Sequence, residues 1–160
     1  YLKYFCIAPT KVEKYIIKAM EIKGNHHDAN LIFNSYLQRK INSIYDSEAA
    51  LDTINKMEAR ISNKKTSDLL KEYRWVAYLN IANDYISDKK LSSAETYFQK
   101  FESECTGPIQ NQYLSKMIEL TYRSAALYYR YKGYKSKAKA YVERGLKYVP
   151  GSDFLRSAAN

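Results

Sequence analysis

The stretch that decides the fold is residues 122–150, YRSAALYYRYKGYKSKAKAYVERGLKYVP. The KGY sequence at 132–134 predicts a tight turn, because glycine supplies the backbone conformation that ends a helix. Apolar periodicity predicts a helix over 109–131 before this turn and a helix over 135–149 after it, which Pro150 ends. The stretch is therefore predicted to form an antiparallel helix hairpin.

Upstream of this hairpin the chain has the same kind of helical periodicity. Apolar residues recur at three- and four-residue intervals, and polar turn residues separate the periodic stretches. Only five Gly and three Pro occur in 160 residues, which is too few for the many tight turns of an all-β domain. We therefore predict an all-α fold, with helices over 11–23, 29–45, 46–61, 66–87, 91–104, 109–131 and 135–149 and a final short segment that begins at Ser152.

An internal repeat of 44 residues organises these helices. A small residue in the second helix of each hairpin recurs at this interval, at Ala50, Ala94 and Ala138. Three further sets of apolar or small residues fall in the same frame: Leu37, Ile81 and Ala125; Ile41, Tyr85 and Tyr129; and Ile54, Phe98 and Val142. A single hairpin cannot bury its apolar face, so repeated hairpins are expected to stack and to share a continuous core.

The last repeat unit resembles the tetratricopeptide repeat. Its aromatic, small and terminating residues follow the order of that family, namely Tyr122, Ala125, Ala126, Tyr129, Ala138, Val142, Gly145 and Pro150. The middle unit matches with Tyr78, Ile81, Ala82, Tyr85, Ala94 and Phe98. It departs from the pattern at Phe101, where a small residue is usual, and its proline is displaced to Pro108. The unit around Ala50 is degenerate, with Asn34 and Gln38 at an aromatic and a small position.

The resemblance implies a right-handed superhelical stack of antiparallel helix hairpins, of the kind that longer-period relatives of the ~34-residue repeat form. We expect one repeat domain over 1–160, and we expect the chain to be part of a longer protein because Tyr1 is not an initiator methionine. The predicted parts are a partial repeat over 1–25, repeats over about 29–62, 66–106 and 109–150, and the start of a capping or further helix over 152–160.

In the tetratricopeptide family the first helix of each hairpin lines a concave groove. The positions that the resemblance assigns to this groove are Tyr36, Arg39, Asn42, Val76, Leu79, Asn80, Asn83, Arg123, Leu127, Arg130 and Tyr131. Asn80 and Asn83 are suited to bonding the backbone of a bound peptide, and Arg39 and Arg123 to pairing with its acidic side chains. The lysines with which some members clamp a C-terminal carboxylate are absent. Ordinary solvation of a groove is the alternative explanation for the polar positions.

The distribution of charge favours an acidic partner. The chain has 26 basic and 17 acidic side chains, a formal net charge of +9, and residues 119–160 contain nine basic against three acidic ones. A basic surface attracts acidic partners, although a solvated lysine-rich helix face is an equally simple explanation. Aromatic and basic residues alternate over 128–135, which leaves binding of single-stranded nucleic acid or another anionic surface as an alternative.

Residue types suited to catalysis or metal binding form no recognisable set in the sequence. His26 and His27 are adjacent and have no third ligand close by, and Cys6 and Cys105 lack the CxxC spacing of zinc sites. The sequence has no phosphate-binding glycine loop, no HExxH and no GxSxG motif. We therefore expect no enzyme activity, no cofactor, no bound metal and two unpaired thiols.

These observations lead to an expected function in protein–protein interaction. The groove would hold an extended or acidic peptide segment, or a partner domain. The alternatives are a sensory or regulatory repeat domain that responds to a peptide or small ligand, and binding of nucleic acid or an anionic surface through the basic C-terminal hairpin. No apolar run approaches the ~18 residues that cross a bilayer, so we expect no membrane insertion and favour a cytoplasmic location.

Overall fold

A computed structural model describes residues 11, 14, 15, 18, 35, 47–59 and 64–159, without the side chains of 65 and 66. Within 47–59 and 64–159 the chain forms six helices and no strand: α1 Ser47–Glu58, α2 Lys64–Ser87, α3 Leu91–Glu104, α4 Gln112–Tyr131, α5 Lys135–Leu146 and α6 Asp153–Arg156. The predicted all-α fold is confirmed for this part of the chain. The predicted helices over 11–23 and 29–45 lie outside the segments that are described continuously.

The chain divides into two compact units, Tyr1–Arg74 and Trp75–Asn160, and the boundary lies within α2. In the first unit, α1 buries Ala50, Ile54 and Met57, and Arg74 of α2 forms an ion pair with Glu58 of α1. In the second unit, α4 packs along α5, and the short α6 packs on both of these helices.

Helix α4 begins later and helix α5 ends earlier than the sequence predicts, and both differences have local causes. Helix α4 begins at Gln112 and not at 109, because the Asn111 side chain accepts hydrogen bonds from the backbone N–H groups of Tyr113 (3.0 Å) and Leu114 (3.2 Å) and so caps the helix. Helix α5 ends at Leu146 and not at 149. Its last turn tightens there, because the N–H of Tyr148 reaches the carbonyl three residues back, at 3.1 Å.

The turns that join α2 to α3 and α4 to α5 have the same hydrogen-bond pattern, 44 residues apart. In the first turn Lys89 N–H donates to the Ile86 carbonyl (2.9 Å) and Lys90 N–H to the Tyr85 carbonyl (2.8 Å). In the second turn the equivalent bonds run from Gly133 to Arg130 and from Tyr134 to Tyr129, both at 2.9 Å. This pair of bonds defines a Schellman motif, which requires a left-handed residue after the helix. Lys89 and Gly133 occupy that position, with φ of 62° and 82°.

The side chains of the two hairpins follow the same 44-residue frame. Tyr85 stacks on Tyr97 with ring centroids 5.9 Å apart, and the equivalent pair, Tyr129 and Tyr141, stacks at 5.5 Å. The small and apolar positions of the frame are buried in the described residues, namely Ala50, Ala94 and Ala138; Ile54, Phe98 and Val142; Ile81 and Ala125; and Leu70, Leu114 and Ala158. The sequence repeat therefore corresponds to a repeat of backbone turn and core packing.

Replacing Lys89 with glycine is expected to stabilise the protein by about 0.5–1 kcal/mol, because a side chain in the left-handed region is strained and glycine is not. The reverse change, Gly133→Ala, is expected to destabilise it by about 1 kcal/mol. Urea unfolding monitored by circular dichroism measures both changes. Gly151→Ala is the control, because no atom lies within 4 Å of an added Cβ there and its φ is not positive. Loss of stability in Lys89→Gly would contradict the account of the turn.

Candidate functional site

The most connected polar group of the second unit is centred on Arg144 of α5. Its guanidinium pairs with both carboxylate oxygens of Glu95 in α3, at 3.0 and 2.9 Å, and its Nε donates to Glu102 at 2.7 Å. The three side chains are only 21–31% exposed. The phenol of Tyr141 donates to Glu95, and that of Tyr122 donates to Glu102 at 2.7 Å. We refer to these five residues as the Arg144 network.

Burial and pairing set the protonation states in the Arg144 network. Burial by itself would raise the pKa of Glu95, but the hydrogen bonds from Arg144 and Tyr141 outweigh it, so the pKa lies below its ordinary value. Burial, together with the neighbouring Glu102 carboxylate, raises the pKa of Tyr122, and it raises the pKa of Tyr148 to about 12. Glu95 is therefore ionised at neutral pH and the phenols remain hydrogen-bond donors. The network joins α3, α4 and α5.

Stability is expected to depend on pH through Glu95. A carboxyl group whose pKa is lowered in the folded state stabilises that state at any pH above its pKa in the unfolded chain, which is 4.5 here. This contribution is lost as the pH falls through the pKa of the folded state. The difference in unfolding free energy between wild type and Glu95→Gln should therefore be largest at pH 7 and shrink below about pH 4.5. Urea unfolding between pH 7 and pH 3 measures it. The exposed Glu143→Gln variant should differ little from wild type across this range.

The sequence argument missed the Arg144 network, although one signal for it was present. Glu95 and Glu102 are seven residues apart, so they lie two turns apart on one face of α3. Phe98, between them on that face, is completely buried. The sequence analysis did not connect this pair of acids with an arginine 42 residues further on. Nothing in the 44-residue frame points to the contact either, because the equivalent of Arg144 is Lys100 and that of Glu95 is Lys139.

The structure places the predicted groove residues of α2 in two environments. Val76 and Leu79 are 4% and 0% exposed, so they belong to the core and cannot contact a ligand in this conformation. Asn80 and Asn83 are half-buried and keep part of their surface accessible. Tyr36, Arg39 and Asn42 lie outside the described residues.

The predicted groove residues of α4 lie together on its accessible side. Tyr131 is 91% exposed, Arg130 is exposed, and Arg123 and Leu127 are half-buried. Leu120, which was not among the predicted residues, lies on the same side and is 43% exposed. We call these five residues the α4 open face. Its apolar and basic members each recur at a seven-residue interval, Leu120 with Leu127 and Arg123 with Arg130. The α4 open face therefore runs along the helix as an apolar stripe beside a basic one.

Arg123 is the most constrained residue of the α4 open face. Its guanidinium lies over the ring of Phe154 in α6, 4.3 Å from the ring centroid. Its Nε is buried and has no hydrogen-bond partner among the described residues. Within 64–159 neither Arg123 nor Arg130 forms an ion pair. The face thus presents two cations, one of which has an unused donor.

The turn between α4 and α5 forms a second basic surface, which shares Arg130 and Tyr131 with the α4 open face. Residues 130–137 are all exposed and contain Arg130, Lys132, Lys135 and Lys137. The ammonium of Lys137 lies 5.3 Å from the ring centroid of Tyr129 and 5.5 Å from that of Tyr134. The lysine therefore rests on aromatic rings of its own chain.

The described residues contain no group of three or more His, Cys, Asp or Glu side chains that could hold a metal ion. Cys105 is buried, whereas Cys6, His26 and His27 lie outside the described residues. In the described part of the chain no helix is both long and apolar enough to cross a membrane. The chain matches no protein-family model, no curated protein and no solved structure.

Proposed function

We propose that this chain is a non-catalytic protein-interaction domain built as a tetratricopeptide-like right-handed stack of helix hairpins. Support for the stack comes from the two hairpins α2–α3 and α4–α5, which share the same turn, the same tyrosine stack and the same buried positions at an interval of 44 residues. Hairpins that repeat in this way bury their apolar faces against one another, and extended binding surfaces commonly result.

The proposed ligand is an acidic peptide segment that binds to the α4 open face, with Asn80 and Asn83 at its margin. The observation that carries this proposal is the pair Arg123 and Arg130, which lie beside the exposed Leu120 and the half-buried Leu127 and have no carboxylate partners among the described residues. A carboxylate from a ligand could pair with the accessible part of either guanidinium, and charge-assisted bonds of this kind are stronger than neutral ones. Exposed apolar surface between the two cations would add affinity.

A displayed library of random peptides, selected on the immobilised domain, tests this proposal. We expect the selected sequences to be enriched in Asp and Glu and to bind Arg130→Glu about tenfold more weakly than wild type. Lys139→Glu is the matched control, since it makes the same change of charge on an exposed part of α5, and it should leave binding almost unchanged. Equal loss in both variants would show attraction to net charge alone and would refute a defined site.

The second candidate is binding of single-stranded nucleic acid or another polyanion by the exposed turn at 130–137. The observation in its favour is the alternation of basic and tyrosine side chains on this accessible segment. Phosphate binding releases counterions, so the affinity for an oligonucleotide should fall steeply with salt. Peptide recognition by the α4 open face, which uses two arginines and apolar contacts, should fall less steeply with salt. The double variant Lys135→Glu/Lys137→Glu would weaken oligonucleotide binding and leave peptide binding unchanged.

A further inference from the structure

Three of the five positions on α2 that correspond to the α4 open face are buried, whereas Asn83 and Ser87, the equivalents of Leu127 and Tyr131, are half-buried and exposed. Leu120, Arg123 and Arg130 of α4 have their equivalents 44 residues earlier in Val76, Leu79 and Ile86, which are 4%, 0% and 7% exposed. This side of α2 faces α4, because the buried hydroxyl of Thr121 donates to the Leu79 carbonyl at 3.4 Å. This side of α2 therefore packs against α4, which is the first helix of the next hairpin.

On α4 the same side is covered only in part by the described chain. Helix α6 has four residues, and its Phe154 meets Arg123. Leu120 and Arg130 remain exposed. Two of the three apolar positions of α2 have become arginine on α4, so a helix that packs here must differ from α4 in its chemistry. It must offer carboxylates opposite the arginines and apolar side chains opposite the leucines.

We propose that the α4 open face binds an acidic amphipathic helix of a partner protein, seated on α4 as α4 is seated on α2. This inference rests on the proposed function, because it specifies the conformation of the acidic peptide. The spacing supports a helix over an extended strand. A seven-residue interval on α4 spans about 10.5 Å, which a second helix matches with its own seven-residue interval, whereas side chains on one face of a strand recur every ~6.6 Å.

A second copy of this chain fits the α4 open face less well than an acidic partner does. Each copy carries a net charge of +9, and two such faces would bring Arg123 and Arg130 of both copies together. Like charges at an interface oppose association. Acidic side chains on the incoming helix remove this repulsion and supply carboxylates for Arg123 and Arg130.

The test uses three fluorescein-labelled peptides of about 21 residues, three heptads, titrated with the domain by fluorescence anisotropy. The first has leucine at two positions of each heptad, three or four residues apart, and flanking glutamates. The second has the same composition, scrambled so that the leucines do not share a face. The third has the first pattern with glutamine in place of glutamate. We expect the first peptide to bind at least about tenfold more tightly than either of the others.

Two variants localise the binding. Leu120→Ala and Arg130→Glu should each weaken the first peptide, whereas Lys139→Glu should not. Leu120 is 43% exposed, so its truncation should leave the fold intact, which circular dichroism checks.

The outcomes separate the inference from the proposed function. If the patterned and scrambled acidic peptides bind equally well and the glutamine peptide does not bind, acidic peptides are ligands but not as helices, and the inference fails alone. If no peptide binds, both fail. If the domain is a dimer in solution that Leu120→Ala dissociates, a second copy covers the face and the inference is overturned.

Discussion

The variant Phe98→Ala is expected to lower the free energy of unfolding by about 4 kcal/mol. Phe98 is completely buried in α3, and its ring contacts those of Tyr122 and Tyr141, with centroids 4.6 and 5.3 Å away. Truncation would leave a cavity among aromatic rings of three helices, which can close only by moving whole helices. It would also remove the ring that lies 5.4 Å below the Arg144 guanidinium. Urea unfolding monitored by circular dichroism measures the change.

Phe154→Ala is the control for this prediction. Phe154 is 43% exposed, so its truncation should lower the unfolding free energy by less than about 1 kcal/mol. It also removes the ring under Arg123 without disturbing the core around Phe98. A loss of stability in Phe98→Ala no larger than in Phe154→Ala would mean that the aromatic cluster is not the packing centre of the second unit.

The variant Arg144→Ala is expected to lower the free energy of unfolding by about 2–3 kcal/mol, somewhat less than for a fully buried pair. Arg144 is the one cation that pairs with Glu95 and Glu102 among the described residues, and both carboxylates are largely shielded from water. Its removal leaves two partly buried negative charges next to each other without compensation. The same denaturation experiment at pH 7 measures the effect.

Two further variants separate the charge effect from the loss of packing. Arg144→Ala combined with Glu95→Gln and Glu102→Gln should recover part of the lost stability, since no buried charge then remains unpaired. Lys139→Ala breaks the exposed pair with Glu143, in which both side chains are more than half exposed, and should change stability by less than about 0.5 kcal/mol. Equal effects of Arg144→Ala and Lys139→Ala would contradict the structural role of the Arg144 network.

The Arg144 network and the α4 open face use different sides of α4, so their variants are separable. Tyr122 is completely buried and bonds to Glu102, whereas its neighbour Arg123 lies on the accessible side. Changes at Arg144 should therefore alter stability without altering peptide specificity. Changes at Arg130 should alter binding with little effect on unfolding.

Much of the fold of the described region could be predicted from the sequence, because the signals for it are local. Helix α3 begins at Leu91 and ends at Glu104, as its periodicity predicts. Gly133 marks a turn because glycine tolerates positive φ. The positive φ of Lys89 could not be predicted from the residue type, and only the 44-residue equivalence with Gly133 points to it.

The candidate site could be predicted only in part. Arg130 and Tyr131 are exposed and Arg123 and Leu127 half-buried on one side of α4, as a surface for a ligand requires. Val76 and Leu79, predicted by the same positional argument, are core residues. The positional argument treated the two hairpins as equivalent, and their first helices have different neighbours.

The sequence by itself determined where the helices of 47–59 and 64–159 lie and that they recur every 44 residues, because caps, turns and apolar periodicity act within a few residues of the chain. The tertiary structure alone decided which of two equivalent positions is buried and which is accessible. Leu79 is completely buried and its carbonyl accepts a hydrogen bond from Thr121 of α4, whereas Arg123, 44 residues later, is only half-buried, with Phe154 of a four-residue helix beside its guanidinium. The Arg144 network has the same origin: its ion pairs join residues more than 40 positions apart, and only packing brings them together.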